Sequence, residues 1–350
     1  MSADVSLVLV AYRSSAVGAD AVASFRREAA RLGVTPEVVI VDHSEDPEEA
    51  ACLRSLEPEK LLLLPNRGYS AGINAGVAAS TARVVVAGNP DVVFEDGAVA
   101  ALLCALDGGW DVVGPQFVLA GFLFPPAEVQ TPWEEVRRWL ASRSRLFWSR
   151  HFHRELRRWR RVWEAREPVA LPAVSGALLA FRRETFDRVG RWDEGFFLYF
   201  EENDWLRRAA AGGLRTAQVP SARVVHGWGH AADPVGMTGH FLRSRRRFLR
   251  THFGTRGRLV AGLRATRSPL RPQPLPEGGV SLPAGELLWL LSPTSLGFPA
   301  AGFAGTAASF LRALEGFYNA LGRPARYLLL AVEPATGGLL GPWSWERSHG

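Results

Sequence analysis

Residues 196–208 read FFLYFEENDWLRR, an aromatic run that delivers Glu201, Glu202 and Asp204 almost together, with Arg207 and Arg208 on the next turn. Three acids this close repel one another. Burial adds to the repulsion and lifts a carboxylate toward the range of a general base, whereas a nearby metal or Arg lowers it again. The competing reading is a solvated helix start, because acids favour the first turn of a helix. A second acid of interest, Asp91, stands in Asn89-Pro90-Asp91. Asn-Pro and Pro-Asp also make ordinary turns.

The elements that must position these acids lie upstream. Residues 5–12 (VSLVLVAY), 37–42 (EVVIVD), 61–64 and 82–87 (ARVVVA) are short apolar runs, as buried parallel strands would be. Between them, residues 19–32, 47–56 and 70–80 have helical spacing, the first ending at Gly33 as a C-cap. Strand and helix alternate, so the expectation is an α/β fold with a doubly wound sheet. Ligands of such sheets bind beyond the carboxyl ends of the strands, where Asp42, Asn66 and Asp91 all fall. One Asp at a strand end can hold Mg²⁺ or Mn²⁺ whose other ligands are diphosphate oxygens and water. The first turn, Ala11-Tyr12-Arg13-Ser14-Ser15, lacks G-x-G-x-x-G, and the chain has no P-loop. That argues against a dinucleotide-dependent dehydrogenase and against an NTPase.

Composition narrows the setting. The chain has 350 residues, 47% hydrophobic and 22% charged, and a formal net charge of +6. Lys60 is its only lysine, so the basic side is Arg, which suits phosphate because its planar fork bonds two oxygens. A high-GC codon bias would enrich Arg equally well. Cys52 and Cys104 are too few for a disulfide scaffold, which fits a reducing cytoplasm. There is no basic leader at the start and no apolar run of spanning length.

Several stretches occur in the order known from one family. VSLVLVAY, VVIVDHSED, PNRGYSAGINAG and GNPDV are followed by SGALLAFRRETFDRVGRWDEGFFLYFEENDWLRR and VPSARVVH. This series resembles family 2 glycosyltransferases of the GT-A fold, particularly the rhamnosyltransferase-like branch, over about residues 5–254. The resemblance implies a Rossmann-like mixed sheet and an inverting transfer of a hexose, rhamnose among the options, from a nucleotide-diphosphate sugar. It implies that Ala11, Tyr12, Arg13 and Asp42 line the nucleotide, and that Asn66, Gly68 and Asn74 flank the diphosphate and sugar. Asp91 takes the metal ligand's place with Asn89 where a first acid usually stands, and His226 completes the Mg²⁺ or Mn²⁺ site. Glu202 takes the place of the usual catalytic Asp, with Glu201 and Asp204 as alternative bases. Trp192, Asp193 and Arg208 would meet the acceptor, with Asp193 at the acceptor or donor sugar. A core position is the equal alternative for Trp192, and Arg208 would also orient the site through Asp204. The implied acceptor is a glycan or polyprenyl-linked hydroxyl, in cell-envelope polysaccharide synthesis. A non-catalytic nucleotide-sugar or glycan-binding protein on the same scaffold is the alternative.

Residues 133–166 carry Trp133, Trp139, Trp148, Trp159 and Trp163 among eleven arginines. Helical spacing makes this a basic amphipathic surface suited to anionic headgroups, and the protein a peripheral one on the inner face of the cell membrane. Packing of these Trp on the parent domain is the alternative, with nucleic acid last. A second basic run, residues 243–250, could serve the same surface. The expected organisation is a transferase domain over 1–265 with an insertion at about 130–168, a Pro-rich linker at 266–280, and a small β-rich module at 281–350. Within that module, strands are expected at 286–291, 327–332 and 341–345, and residues 307–321 are a helix or two strands.

Overall fold

A computed structural model describes residues 3–227, 234–275, 285–321 and 325–347. In chain order the elements begin β1 (Val5–Ala11), α1 (Ser15–Leu32), β2 (Pro36–Asp42), α2 (Pro47–Arg54), β3 (Lys60–Leu63), α3 (Tyr69–Ala79). Next come β4 (Val84–Gly88), β5 (Val92–Phe94), α4 (Ala98–Asp107), β6 (Val112–Leu119), β7 (Phe122–Leu123), α5 (Pro132–Ala141) and α6 (Arg145–Trp163). They are followed by β8 (Val169–Ala170), β9 (Leu178–Arg182), α7 (Arg183–Val189), α8 (Glu201–Ala211), β10 (Thr216–His226) and α9 (Pro234–Val260). The chain closes with β11 (Gln273–Pro274), β12 (Leu287–Ser292), β13 (Ala301–Gly305), α10 (Ala307–Leu321), β14 (Ala325–Val332) and β15 (Leu339–Arg347).

Two compact units emerge: Met1–Gln116 with Ala165–Ala261, and Phe117–Glu164 with Gly262–Gly350. In the first unit the strands run β6-β9-β4-β1-β2-β3. β1 is parallel to β2 and β4, β2 is parallel to β3, and β9 is antiparallel to β4. This is a mixed α/β sheet, as expected. Every residue of β1 is buried, which is why its sequence is apolar but for Ser6. β10 pairs antiparallel with β5 and sets His226 opposite Val92.

The helix ends follow from their caps. Asp46 accepts from the Glu48 and Glu49 backbone N–H groups ahead of Pro47, and so starts α2. Gly33, at φ 66°, closes α1 as expected. That helix starts earlier than its apolar spacing predicts, because Glu49 accepts from the backbone N–H of Ser14 and of Ser15. A carboxylate thus fills the helix N-terminus where a dinucleotide fold would seat a phosphate.

The second unit has an antiparallel core in which β12 lies between β13 and β14, with β15 beyond β14. Residues 307–321 are the helix α10, and β13 was not expected from sequence. Trp148, Phe152 and Trp159 of α6 share one buried cluster with Leu270, Leu290, Phe298, Leu328 and Leu330. The division therefore differs from the expected one: the Trp-rich stretch packs with the C-terminal residues. Leu270, inside the expected linker, is core, while linker residues 276–280 lie outside the described residues.

Candidate active site

The first unit gathers most of the singled-out residues at the carboxyl ends of its strands. Register places Ala11 level with Asp42, and Asp42 level with Leu63. The Asp42 carboxylate is buried and accepts from the Ser44 backbone N–H and hydroxyl, each at 2.8 Å. Asn66 Oδ1 accepts from the Gly68 N–H at 3.1 Å, which shapes the loop before α3. Tyr12 is 53% exposed beside this edge, and Arg13 has its guanidinium 5.7 Å from the Tyr12 ring. Asn89 donates its backbone N–H to Ala177 O at 2.9 Å, which ties the β4 end to the loop before β9.

Asp91, between β4 and β5, comes within 3.4 Å of His226 Nε2 at the end of β10. A carboxylate oxygen and an imidazole nitrogen so close are a fitting pair of ligands for Mn²⁺, which accepts both donor types more readily than Mg²⁺ does. Among the described residues, a tighter His/Asp/Glu group is Glu134, His151 and Glu155 in the second unit. Arg154 bonds both of those glutamates and Arg158 bonds Glu155, so that group is an ion-pair network already supplied with cations.

The acids that open α8 have separate environments. Two left-handed residues, Tyr199 (φ 71°) and Phe200 (φ 69°), turn the chain into the helix. Such conformations cost about 1–3 kcal/mol each and persist only where packing holds them. Here Phe200 is buried against Phe241 and Phe248, and Ser244 donates its hydroxyl to Leu198 O at 2.8 Å. Glu201 follows, buried, and its Oε2 has no hydrogen-bond partner among the described residues. Burial first, then Glu202, pushes the Glu201 carboxyl well above its usual range. Glu202 is half-buried, accepts from Asn203 Nδ2 at 2.8 Å, and is raised by burial to about 7. Asp204 is different. Burial would raise it, yet His252 (2.8 Å) and Arg208 (3.0 Å) hold it below the ordinary carboxylate value.

Tyr69 joins the two groups of acids. It donates its backbone N–H to Phe197 O at 2.8 Å and its hydroxyl to Gly176 O at 3.0 Å. A Cβ on Gly176 would lie 3.0 Å from the Glu202 Cβ, so Glu202 rests on that backbone. Burial, then the negative charge of Glu201, Glu202 and Asp91, push the Tyr69 hydroxyl well above its usual value. Gly68 is needed just before it: its φ is 94°, and a Cβ there would stand 2.5 Å from Phe197 O.

Three expectations need correction. Trp192 is 2% exposed, packed on Trp205 and Tyr69, so its ring is core and no platform for a sugar. Asn74 spends its amide on Trp192, donating to the backbone O and accepting from the N–H at 2.9 Å each, and pins the loop instead of facing a ligand. Arg208 donates to Asp204, Val189 O and Arg191 O, which leaves it a positioning role. Asp193 accepts from Arg247 at 2.7 Å. Sequence reasoning missed Tyr69, Gly176, Arg247 and His252. Tyr69 stood inside the quoted PNRGYSAG run, Gly176 at the start of the quoted SGALLAF run and Arg247 in the basic run 243–250, but His252 had no local signal.

No family model matches the chain. It is 32% identical over 157 residues to the N-acetylglucosaminyl-diphospho-decaprenol L-rhamnosyltransferase of Mycobacterium tuberculosis, in both strain CDC 1551 / Oshkosh and strain ATCC 25618 / H37Rv. The match covers 43% of this chain and 50% of the relative, so the chain spans about half the length of the curated relatives it matches. Among solved structures, a mannosyltransferase from Pyrobaculum calidifontis in complex with GDP-Man and Mn²⁺ aligns with a TM-score of 0.45 and 17% identity. That alignment covers 71% of this chain and 63% of the other. The resemblance to rhamnosyltransferase-like glycosyltransferases, first read from the motifs, is carried by named relatives as well.

Proposed function

We propose that this protein is an inverting glycosyltransferase that moves a hexose from a nucleotide-diphosphate sugar to a hydroxyl of a lipid-linked acceptor. The observation that carries the reading is Glu202: half-buried, hydrogen-bonded by Asn203, raised to about 7, and seated against Gly176, whose carbonyl accepts from the Tyr69 hydroxyl. A base is most effective when its pKa lies near the working pH. The relatives that act on a diphospho-decaprenol carrier support the acceptor class.

In this mechanism Asp42 and the Ala11–Arg13 edge receive the nucleoside, and the Asn66–Gly68 loop borders the diphosphate. Asp91 and His226 would hold a Mn²⁺, which when bound offsets the charge of the departing diphosphate. Glu202 takes the proton of the acceptor hydroxyl as its oxygen bonds to C1 of the sugar. The bond from C1 to the diphosphate oxygen breaks, its electron pair leaves with the nucleoside diphosphate, and C1 inverts. Burial and the neighbouring Glu202 favour the neutral form of the Glu201 carboxyl, which lessens the negative charge beside Glu202. Asp204, held ionised by His252 and Arg208, fixes the first turn of α8.

The second unit supports peripheral attachment to an anionic membrane. Trp148 and Trp159 are buried, but Trp133 and Leu146 are each 58% exposed, and Phe147 is also exposed among Arg143, Arg145 and Arg150. No helix among the described residues is long and apolar enough to cross a membrane.

The test is a screen of nucleotide-sugars with a polyprenyl-diphosphate acceptor and Mn²⁺, following release of nucleoside diphosphate and glycosylated lipid. Transfer that Asp91→Ala abolishes together with metal-dependent donor binding is the expected result. Donor binding without any turnover would favour a non-catalytic nucleotide-sugar-binding protein.

A further inference from the structure

In the first unit, a cavity of about 550 Å³ opens on α9, lined by Arg243, Arg246, Arg247, Arg250, Thr251 and Arg258. Positions 243, 246, 247 and 250 recur at helical spacing and share one face. Arg258 joins them because the helix breaks at Gly254 (φ 51°, ψ −126°), a conformation that suits only glycine. After the break, Gly257 sits so close to the Leu249 carbonyl that any Cβ would overlap it. The other face of α9 is fixed: Phe248 packs on Phe200, and His252 bonds Asp204.

Five guanidiniums converge here with little to neutralise them. Arg247 meets Asp193 at 2.7 Å, and Arg243 donates to His240 Nδ1 at 3.1 Å. Arg246, Arg250 and Arg258 have no acidic partner among the described residues. An Arg-rich helix face in water would let such side chains diverge. Gathered round a concave surface, they instead create a focused positive potential, and their planar forks match phosphate oxygens two at a time. A volume of about 550 Å³ lies in the ordinary range of ligand sites, enough for a diphosphate and the groups it joins.

We propose that this cavity holds the diphosphate of the lipid-linked acceptor, an assignment that rests on the glycosyl-transfer reading above. The donor's diphosphate is assigned to the Asp91–His226 end, so a second anion is needed to account for five arginines. Arg247 ties the cavity to the chemistry. Its guanidinium lies over the Phe196 ring, 5.1 Å from the centroid, and packs so close to Gly195 that a Cβ there would collide with it. Phe196 begins the turn that delivers Glu202. An acceptor anchored by its diphosphate at the Arg face would therefore present its sugar hydroxyl beside that turn.

The experiment titrates the full-length protein with inorganic pyrophosphate by calorimetry, comparing wild type with the Arg246→Ala/Arg250→Ala double variant. Both side chains are exposed and bond nothing else among the described residues, so the variant is expected to fold. The expected result is at least a tenfold loss of pyrophosphate affinity, and the same loss for farnesyl diphosphate, with the Mn²⁺-dependent affinity for nucleotide-sugar unchanged. Equal pyrophosphate affinity in both proteins, or no binding by wild type, would overturn the proposal. A parallel fall in nucleotide-sugar affinity would assign the cavity to the donor and overturn it equally. None of these readouts needs turnover. Arg-dependent diphosphate binding in a protein that transfers no sugar would uphold the cavity and sink the glycosyl-transfer reading alone.

Discussion

At the scale of single residues, neighbouring carboxylates have been driven apart in character. Asp204 is held ionised by His252 and Arg208, while Glu201 and Glu202 are raised by burial. For Glu202 the sign of the linkage is definite. A carboxyl whose folded value is raised contributes stability at low pH and loses it as pH rises through the folded value, here about 7. Glu202→Gln should therefore raise the melting temperature more at pH 8 than at pH 5, as read by calorimetry. An equal shift at both values would show that burial does not perturb this group. Turnover of wild type should rise with pH along the same limb. The i,i+4 pairing of Asp204 with Arg208 was legible in the sequence, because helical spacing alone brings them together. The bond to His252 was not, since it depends on α9 folding back onto α8. Nor could sequence tell that Trp192 is core: a Trp beside an acid reads the same whether its ring meets a sugar or Trp205.

At the scale of elements, the loop before α3 and the turn before α8 are built against each other. Tyr69 bonds Phe197 O, and Gly68 leaves just enough room for that carbonyl. Gly68→Ala adds a Cβ both where φ is positive and where backbone already stands. It should destabilise by more than about 1 kcal/mol, measured by urea denaturation, and lower turnover as Glu202 is displaced. A variant as stable and active as wild type would show that the two segments do not hold each other. The strands that place Asp42 and Asp91 were legible because strands buried on both faces are written as unbroken apolar runs. The turn at Tyr199 and Phe200 was not, because nothing in an aromatic run announces two left-handed residues. Their conformation is imposed by Phe241, Phe248 and Ser244, which lie far along the chain.

At the scale of the whole molecule, neither compact unit is a continuous segment. This was the least legible feature: the Trp-rich stretch reads as a free amphipathic surface until β12 and β14 supply its partners. Trp159, 1% exposed, fills the second unit's core, and Trp159→Ala should cost about 3–5 kcal/mol. A chain ended at Ala261 would strip Leu290, Phe298 and Leu328 from Trp148, Phe152 and Trp159. It should aggregate on size-exclusion chromatography; a monodisperse truncated chain would contradict the shared core. The remaining exposed Trp, Leu and Phe among the arginines should bring the protein down with anionic vesicles at low salt, and less as salt screens the charge. Equal partitioning to neutral vesicles would remove the membrane from the account.

The central claim is that Glu202 removes the acceptor's proton, and its most direct test pairs two numbers from one protein. For Glu202→Gln, donor affinity should stay at the wild-type value while kcat falls about 10²–10⁴-fold, the usual worth of a positioned base. Undiminished kcat in Glu202→Gln would contradict the claim, and a dead Glu201→Gln beside it would move the base one position back.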